Sequence, residues 1–343
     1  MIVFNVEGVN QAVAEVIPYL LREGLEEDSR NGKVLVAPEP VVTVYHNPKQ
    51  HVLFSPTRDA NPFFHLMEAL WMLNGNYNLD WPMRFNKRFG SYSDDDKIVW
   101  GAYGWRWRKF FGHDQLKVII EELKSNPNSR RCVLSMWNGS ETGVLDEDFE
   151  DKVDQPEFYL HSDLYAAMHG GKDVPCNTHV YFDARGGKVN MTVCCRSNDA
   201  IWGAYGANAV HFAFLLEYVA GAVGLPIGVY RQMSNNFHAY TDIYNREKLE
   251  KIAGESVVPY TERTVPLYKS ADQDELDEEI ANFVTKEEPV YSTTFISMVA
   301  TPMLEAWKLR EEKQFDESLN VLYHMLPCDW KIAAIEWAER RAK

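Results

Sequence analysis

At 343 residues, with 45% apolar and 25% charged side chains, the chain is long enough for a large core and has the balance of an ordinary globular protein. Its 50 acidic against 35 basic side chains give a formal charge of −15, which argues against a wide nucleic-acid-binding surface but leaves room for a small phosphorylated ligand held by a few arginines. No apolar run reaches spanning length, the acidic N-terminus does not read as a secretory signal, and five cysteines without a CxxC pair point to reduced thiols and a cytoplasmic setting.

In chain order, residues 8–21 carry Val13, Val16, Ile17 and Leu20 at helical spacing. Arg30 follows beside the turn signal Asn31-Gly32 and reads, on spacing alone, as a solvated loop charge. Residues 41–45 and 51–54 look like two short strands around Asn47-Pro48. Asn61-Pro62 then opens a helix that runs to Asn74-Gly75 with a broad apolar face. Glu68 lies inside that run. It is either a carboxylate on the exposed edge of the helix or a general acid/base with a raised pKa.

The segment GAYGWRWRKF brackets Tyr103 with glycines, and its aromatics read first as core. A helix over 114–124 leads to Arg130-Arg131 and a strand near 131–137. Adjacent arginines on a strand point to opposite sides, so at least one should be on the surface, within reach of a neighbouring subunit. Residues 139–171 read as an irregular acidic insertion whose histidines match no metal pattern.

Residues 173–205 form the centre of the chain. Cys176 follows a proline, two strand-like segments meet at Gly186-Gly187, and the chain returns to Arg196-Ser197-Asn198-Asp199. A hairpin with Cys at one end and Arg-Ser at the other can set a nucleophile beside an anion clamp. Residues 208–223 are apolar on nearly every face, which predicts a helix buried all round and closed by Gly224 and Pro226. His211 within it reads as a satisfied core histidine. A strand over 229–237 runs into His238 and Tyr240, which share a face at a spacing of two. Beyond about 257 three helices are expected, with no nucleophile, metal cluster or phosphate loop among them.

The ordered set MEALWMLNGNYN, GAYGWRWR, DQLKVIIEELKSNPNSRR with VLSMWN, PCN, RSND, the helix from Asn208, and HAY resembles the thymidylate synthase / pyrimidine-nucleotide hydroxymethylase superfamily over residues 25–240. The resemblance implies an α/β (α+β) fold: a large, twisted, mainly antiparallel sheet with surrounding helices, as a catalytic domain over 1–256 with a helical C-terminal extension over 257–343. It also implies a homodimer through the sheet face.

By the resemblance, Cys176 is the thiolate that adds to C6 of the pyrimidine and activates C5, Glu68 organises water and protons, and Tyr103 stands near the C5 proton. Arg30, Arg196 and Ser197 match the phosphate clamp of one subunit, and Arg130 and Arg131 the pair donated by the other. His238 and Tyr240 match the readers of the sugar hydroxyl. Asp199 matches the contact to the pterin of 5,10-methylenetetrahydrofolate, and Phe89 and Tyr92 are nearest to the pterin-side aromatics. Asn208 matches the residue that reads the base, and an amide there favours uracil. The loop GAYGAN is one residue longer than usual, so Ala207 competes for that slot and cytosine stays open.

The sequence departs from thymidylate synthases in CNT after the proline, Cys195 before Arg-Ser, a shortened SRNG loop, RFGSYSDDD in place of a tryptophan-rich pterin segment, and no recognisable closing tail. These features look more like the phage-type hydroxymethylase branch, hence the host cytoplasm for a viral enzyme. The expectation is therefore 5-hydroxymethylation of dUMP (or dCMP). The alternatives are a thymidylate synthase and a non-catalytic nucleotide- or folate-binding protein.

Overall fold

A computed structural model describes residues 1–139, 162–255, 260, 262–267, 273–286 and 291–342. Much of the insertion expected at 139–171 therefore lies outside the described residues. Its described end forms a short helix at Asp163–Met168.

In chain order, β1 (Ile2–Val6) leads into α1 (Val9–Glu23), the hairpin β2 (Leu25–Ser29) and β3 (Gly32–Val36), then β4 (Val41–Tyr45). Helices α2 (Pro62–Leu73), α3 (Asp80–Phe85), α4 (Tyr103–Arg108) and α5 (Gln115–Ser125) precede β5 (Val133–Ser135). After α6 (Asp163–Met168) come β6 (Asn177–Asp183), β7 (Val189–Asp199), α7 (Asn208–Val223), β8 (Ile227–Tyr240) and α8 (Arg246–Glu255). The chain continues through α9 (Gln273–Thr285), α10 (Thr301–Glu311), α11 (Phe315–His324) and α12 (Asp329–Glu339).

The strands make one eight-stranded mixed sheet organised on β8. On one side β8 pairs with β4 and, further along, with β3; on the other it runs parallel to β7. β1 is parallel to β4, and the remaining pairings are antiparallel. The expectation of a mainly antiparallel sheet with surrounding helices is met. Pairing of β3 with the end of β8 also brings the Arg30 turn alongside Tyr240, since Val34 is in register with that residue.

The strand expected at 51–54 is not formed. Asn10 on α1 takes its place as the backbone's partner: its Nδ2 donates to Val52 O (2.8 Å) and its Oδ1 accepts from Phe54 N–H (2.9 Å). With these backbone groups satisfied by a side chain, the segment needs no neighbouring strand.

α7 has the bounds read from the sequence, and nearly all of it is buried; Gly224 closes it in the left-handed region at φ 79°. Together with the turn before it, residues Ala200–Val223 are the one helix among the described residues long and apolar enough to cross a membrane, but 83% of that apolar stretch is buried inside the protein. The helices beyond residue 260 join the same core. Trp330 packs on His51 and Phe214, Trp307 and Trp337 pack on Phe63, and Phe283 packs on Trp81.

Candidate active site

The site begins where β7 ends. Arg196 N–H donates to Cys176 O (2.9 Å), its Nε to Pro175 O (3.0 Å) and its Nη2 to Val174 O (2.9 Å). One arginine thus holds the loop before β6 and keeps its positive charge beside the thiol. Burial pushes the Cys176 thiol up; the charges of Arg196 and Arg30 pull it back down, while Asp173 and Asp199 oppose them. The free protein therefore keeps Cys176 mostly as a thiol at neutral pH.

Tyr103 opens α4, with its ring stacked on Phe212 and its hydroxyl accepting from Asn177 N–H at 3.3 Å. Burial pushes that hydroxyl well above the usual tyrosine range, so it stays protonated. The Asn177 side chain turns into the sheet, donating to Cys194 O (2.7 Å).

Glu68, on α2, is buried. Its Oε2 stands 3.0 Å from Nε2 of His211 on α7, and neither atom has another hydrogen-bond partner. His211 is buried, as expected from its apolar surroundings, and its partner is the Glu68 carboxylate. That partner comes from the facing helix, a relationship that periodicity along one helix does not reveal.

Between β7 and α7 the chain forms a π-helical turn over Ala200–Ala207, with Asn208 N–H bonded to Gly203 O. This wider turn can absorb an extra residue without interrupting the helix. Asn208 lines the cavity below and donates from Nδ2 to Asn198 Oδ1 (3.1 Å), so the longer loop still brings its side chain to the site; Ala207 lines the same cavity. Asp199 caps the π turn by accepting from Ile201 N–H (2.7 Å) and from Trp202 N–H. Its Oδ2 is buried without a hydrogen bond.

His238 is in register with Asp199 across the β7–β8 pairing, and its ring meets that of Tyr240 edge-on at 5.2 Å. Ser197 is half-buried on β7 opposite Asn236. Burial raises the Asp199 carboxyl and lowers the His238 imidazole, and each offsets the other's shift.

Glu68, Tyr103, Asn208, His211, Asp173 and Tyr92 wall one cavity of about 160 Å³. Tyr92 stands at its mouth, 53% exposed, with Phe89 packed behind it against Trp71 and Phe64. Asp173 was not singled out from the sequence. Burial pushes its carboxyl up to about 7, against the Gly101 N–H that donates to its Oδ2 at 2.7 Å. Arg30 lies in the exposed turn between β2 and β3. Arg130 and Arg131 are both exposed and line a separate surface depression with Asn126, Asn128 and Ser129. Among the described residues no cluster of His, Cys, Asp and Glu could hold a metal ion. The site thus sets an amide with donor and acceptor, a buried tyrosine hydroxyl and two carboxyl groups around one cavity, with the Cys176 loop beside it.

A thymidylate synthase family model matches residues 13–253. A deoxyuridylate hydroxymethyltransferase of Pseudomonas phage M6 is 43% identical, with 99% of this chain and 95% of the relative aligned. One of the same name from Bacillus phage SP01 is 29% identical over 74% of this chain and 63% of its own length. In structure, the chain is similar to the crystal structure of thymidylate synthase from T4 phage, with a TM-score of 0.53, 20% identity, and 70% and 79% of the two chains covered.

Proposed function

The chain belongs to the thymidylate synthase family, and within it we propose that the protein hydroxymethylates C5 of dUMP. The observation that carries this reading is the single cavity in which Glu68, Tyr103 and Asn208 converge beside the Cys176 loop. The name shared by the phage relatives supports the hydroxymethyl product over the methyl one.

Cys176 gives up its proton to water and its Sγ adds to C6 of the base, which moves the C5–C6 double-bond electrons onto C5 and O4 and makes C5 a nucleophile. A bound nucleotide phosphate is gathered by Arg196, Ser197 and Arg30, and by Arg130 and Arg131 of a second subunit, where guanidinium forks suit phosphate oxygens. Asn208 faces the base, and His238 and Tyr240 face the sugar. Tyr103 takes part in removal of the C5 proton. Glu68 orients a water against the one-carbon unit on C5 and receives one of its protons. With the carrier amine released, C5 is left with an exocyclic methylene; the water's oxygen bonds to that carbon as the double-bond electrons pass back into the ring, and the Cys176–C6 bond then breaks to return the thiolate and restore the C5–C6 double bond.

The residues present fit a folate. The buried, unpartnered Asp199 Oδ2 can accept from a ring N–H, and Phe89 and Tyr92 give an aromatic wall. Bound there, 5,10-methylenetetrahydrofolate would supply the one-carbon unit. The polar lining from Glu68, His211 and Asp173 can keep water in the cavity, which favours its addition over exclusion.

A homodimer completes the site in this reading. Val3, Val42, Arg231, Thr192, Tyr181 and Val133 share the outward sheet face by register, and all are exposed or half-buried. Arg130 and Arg131 stand just before β5, separated from it by Cys132, at the edge of the sheet. Release of tritium from [5-³H]dUMP in the presence of the folate tests the reading. It should be rapid in the native protein and absent in Cys176→Ser; equal release in both would overturn it.

A further inference from the structure

We propose that Asn198 is the positioning residue that sets the choice of uracil over cytosine, by fixing which way the Asn208 amide faces. The inference rests on the reading that Asn208 meets the base.

Behind Asn208 runs a buried chain of amides and hydroxyls. Asn208 Nδ2 donates to Asn198 Oδ1 (3.1 Å). Asn198 Nδ2 donates to Gln232 Oε1 (3.1 Å) and Ser234 Oγ (3.0 Å), and Gln232 Nε2 donates to the Tyr230 hydroxyl (2.6 Å). Asn198, Gln232, Ser234 and Tyr230 are each no more than 2% exposed. Both Asn198 Nδ2 hydrogens are used by acceptors on β8, so the atom it presents to Asn208 is an acceptor.

That polarity has a consequence at the base. Asn208 spends one Nδ2 hydrogen on Asn198 and keeps the second, together with Oδ1, for a ligand. A donor beside an acceptor matches uracil, whose O4 accepts and whose N3–H donates. Cytosine has the reverse order, an amine at C4 and an unprotonated N3. To read it, Asn208 would have to turn its Oδ1 against Asn198 Oδ1, setting two buried acceptors together without a proton. Escaping that clash needs Asn198 and Gln232 to turn as well, so three packed amides must move at once. Asn198 therefore converts a side chain able to read either base into one that reads uracil.

The test compares dUMP with dCMP, both as kcat/KM and as affinity by calorimetry without folate, for the native protein, Asn198→Leu and Asn198→Asp. Leu removes the acceptor and frees the Asn208 amide to face either way. The dUMP/dCMP ratio should then fall about tenfold or more. Asp can only accept: it takes hydrogens from Asn208, Ser234 and a turned Gln232, so the preference for dUMP should be kept. An unchanged ratio in a folded Asn198→Leu, or a lost preference in Asn198→Asp, overturns the proposal; should the Leu variant not fold, the Asp variant alone decides it. Failure of the functional reading is a different result, since the native protein would then neither bind nor turn over either nucleotide.

Discussion

Glu68 on α2 and His211 on α7 meet across the cavity wall, with Oε2 and Nε2 3.0 Å apart. In the proposed reaction these two buried groups stand on facing helices beside the water that attacks the one-carbon unit. Glu68→Gln keeps the shape but cannot take the proton, so formation of the hydroxymethyl product should fall by about 10² or more. His211→Asn should lower kcat with little change in KM. Tritium release from [5-³H]dUMP should fall less than product formation in both variants. Equal losses in the two assays would place the pair at an earlier step.

The Cys176 thiol is raised by burial and held back by Arg196 and Arg30. Thiolate is the charged form, so a raised pKa leaves less of it at a given pH. Alkylation of Cys176 by iodoacetamide, followed by peptide mass, should rise about tenfold per pH unit from pH 7 towards 9. Arg196→Met removes the larger lowering influence and should slow alkylation across that range. A flat profile would show a thiolate already formed.

Arg106 and Asp163 form a buried, two-pronged ion pair at 2.6 and 2.8 Å, and Asp163 also accepts from Asn138 N–H. Removing one partner strands a charge in the core. Asp163→Ala should lower unfolding free energy in urea by about 3–5 kcal/mol. A loss below about 1 kcal/mol would mean that Arg106 finds other partners.

Burial pushes the Glu217 carboxyl on α7 up to about 7, against the Leu267 N–H that favours its charged form. A carboxyl raised on folding binds more protons in the native state. Its stabilising contribution is complete below the unfolded value near 4.5 and is lost as pH rises through about 7. Glu217→Gln, which can still accept from Leu267, should therefore show a smaller fall in Tm than the native protein between pH 5 and 8. An unchanged slope would assign the loss to other groups.

How much of this was legible in the sequence depended on where the determining contact lay. α7 was read to its bounds because its apolar run and Gly224 are local signals. The hairpin β6–β7 was likewise marked by Gly186 and Gly187, both at positive φ. Residues 51–54 misled because Asn10, more than 40 positions earlier, satisfies their backbone. His211 reads from the sequence only as a core histidine, and Asp173 carries no local signal, because their partners Glu68 and Gly101 lie on other segments. The hairpin β2–β3 was seen only as a turn, since the polar β2 is exposed throughout and has no apolar alternation to mark it.

The identity of the product distinguishes hydroxymethylation from methylation. The full chain would be incubated with dUMP or dCMP and 5,10-methylenetetrahydrofolate, and the nucleotide and folate identified by mass. The expected products are 5-hydroxymethyl-dUMP and free tetrahydrofolate, with far less product from dCMP. Thymidylate with dihydrofolate would contradict hydroxymethylation, showing that the polar wall of Glu68, His211 and Asp173 does not deliver water to the one-carbon unit.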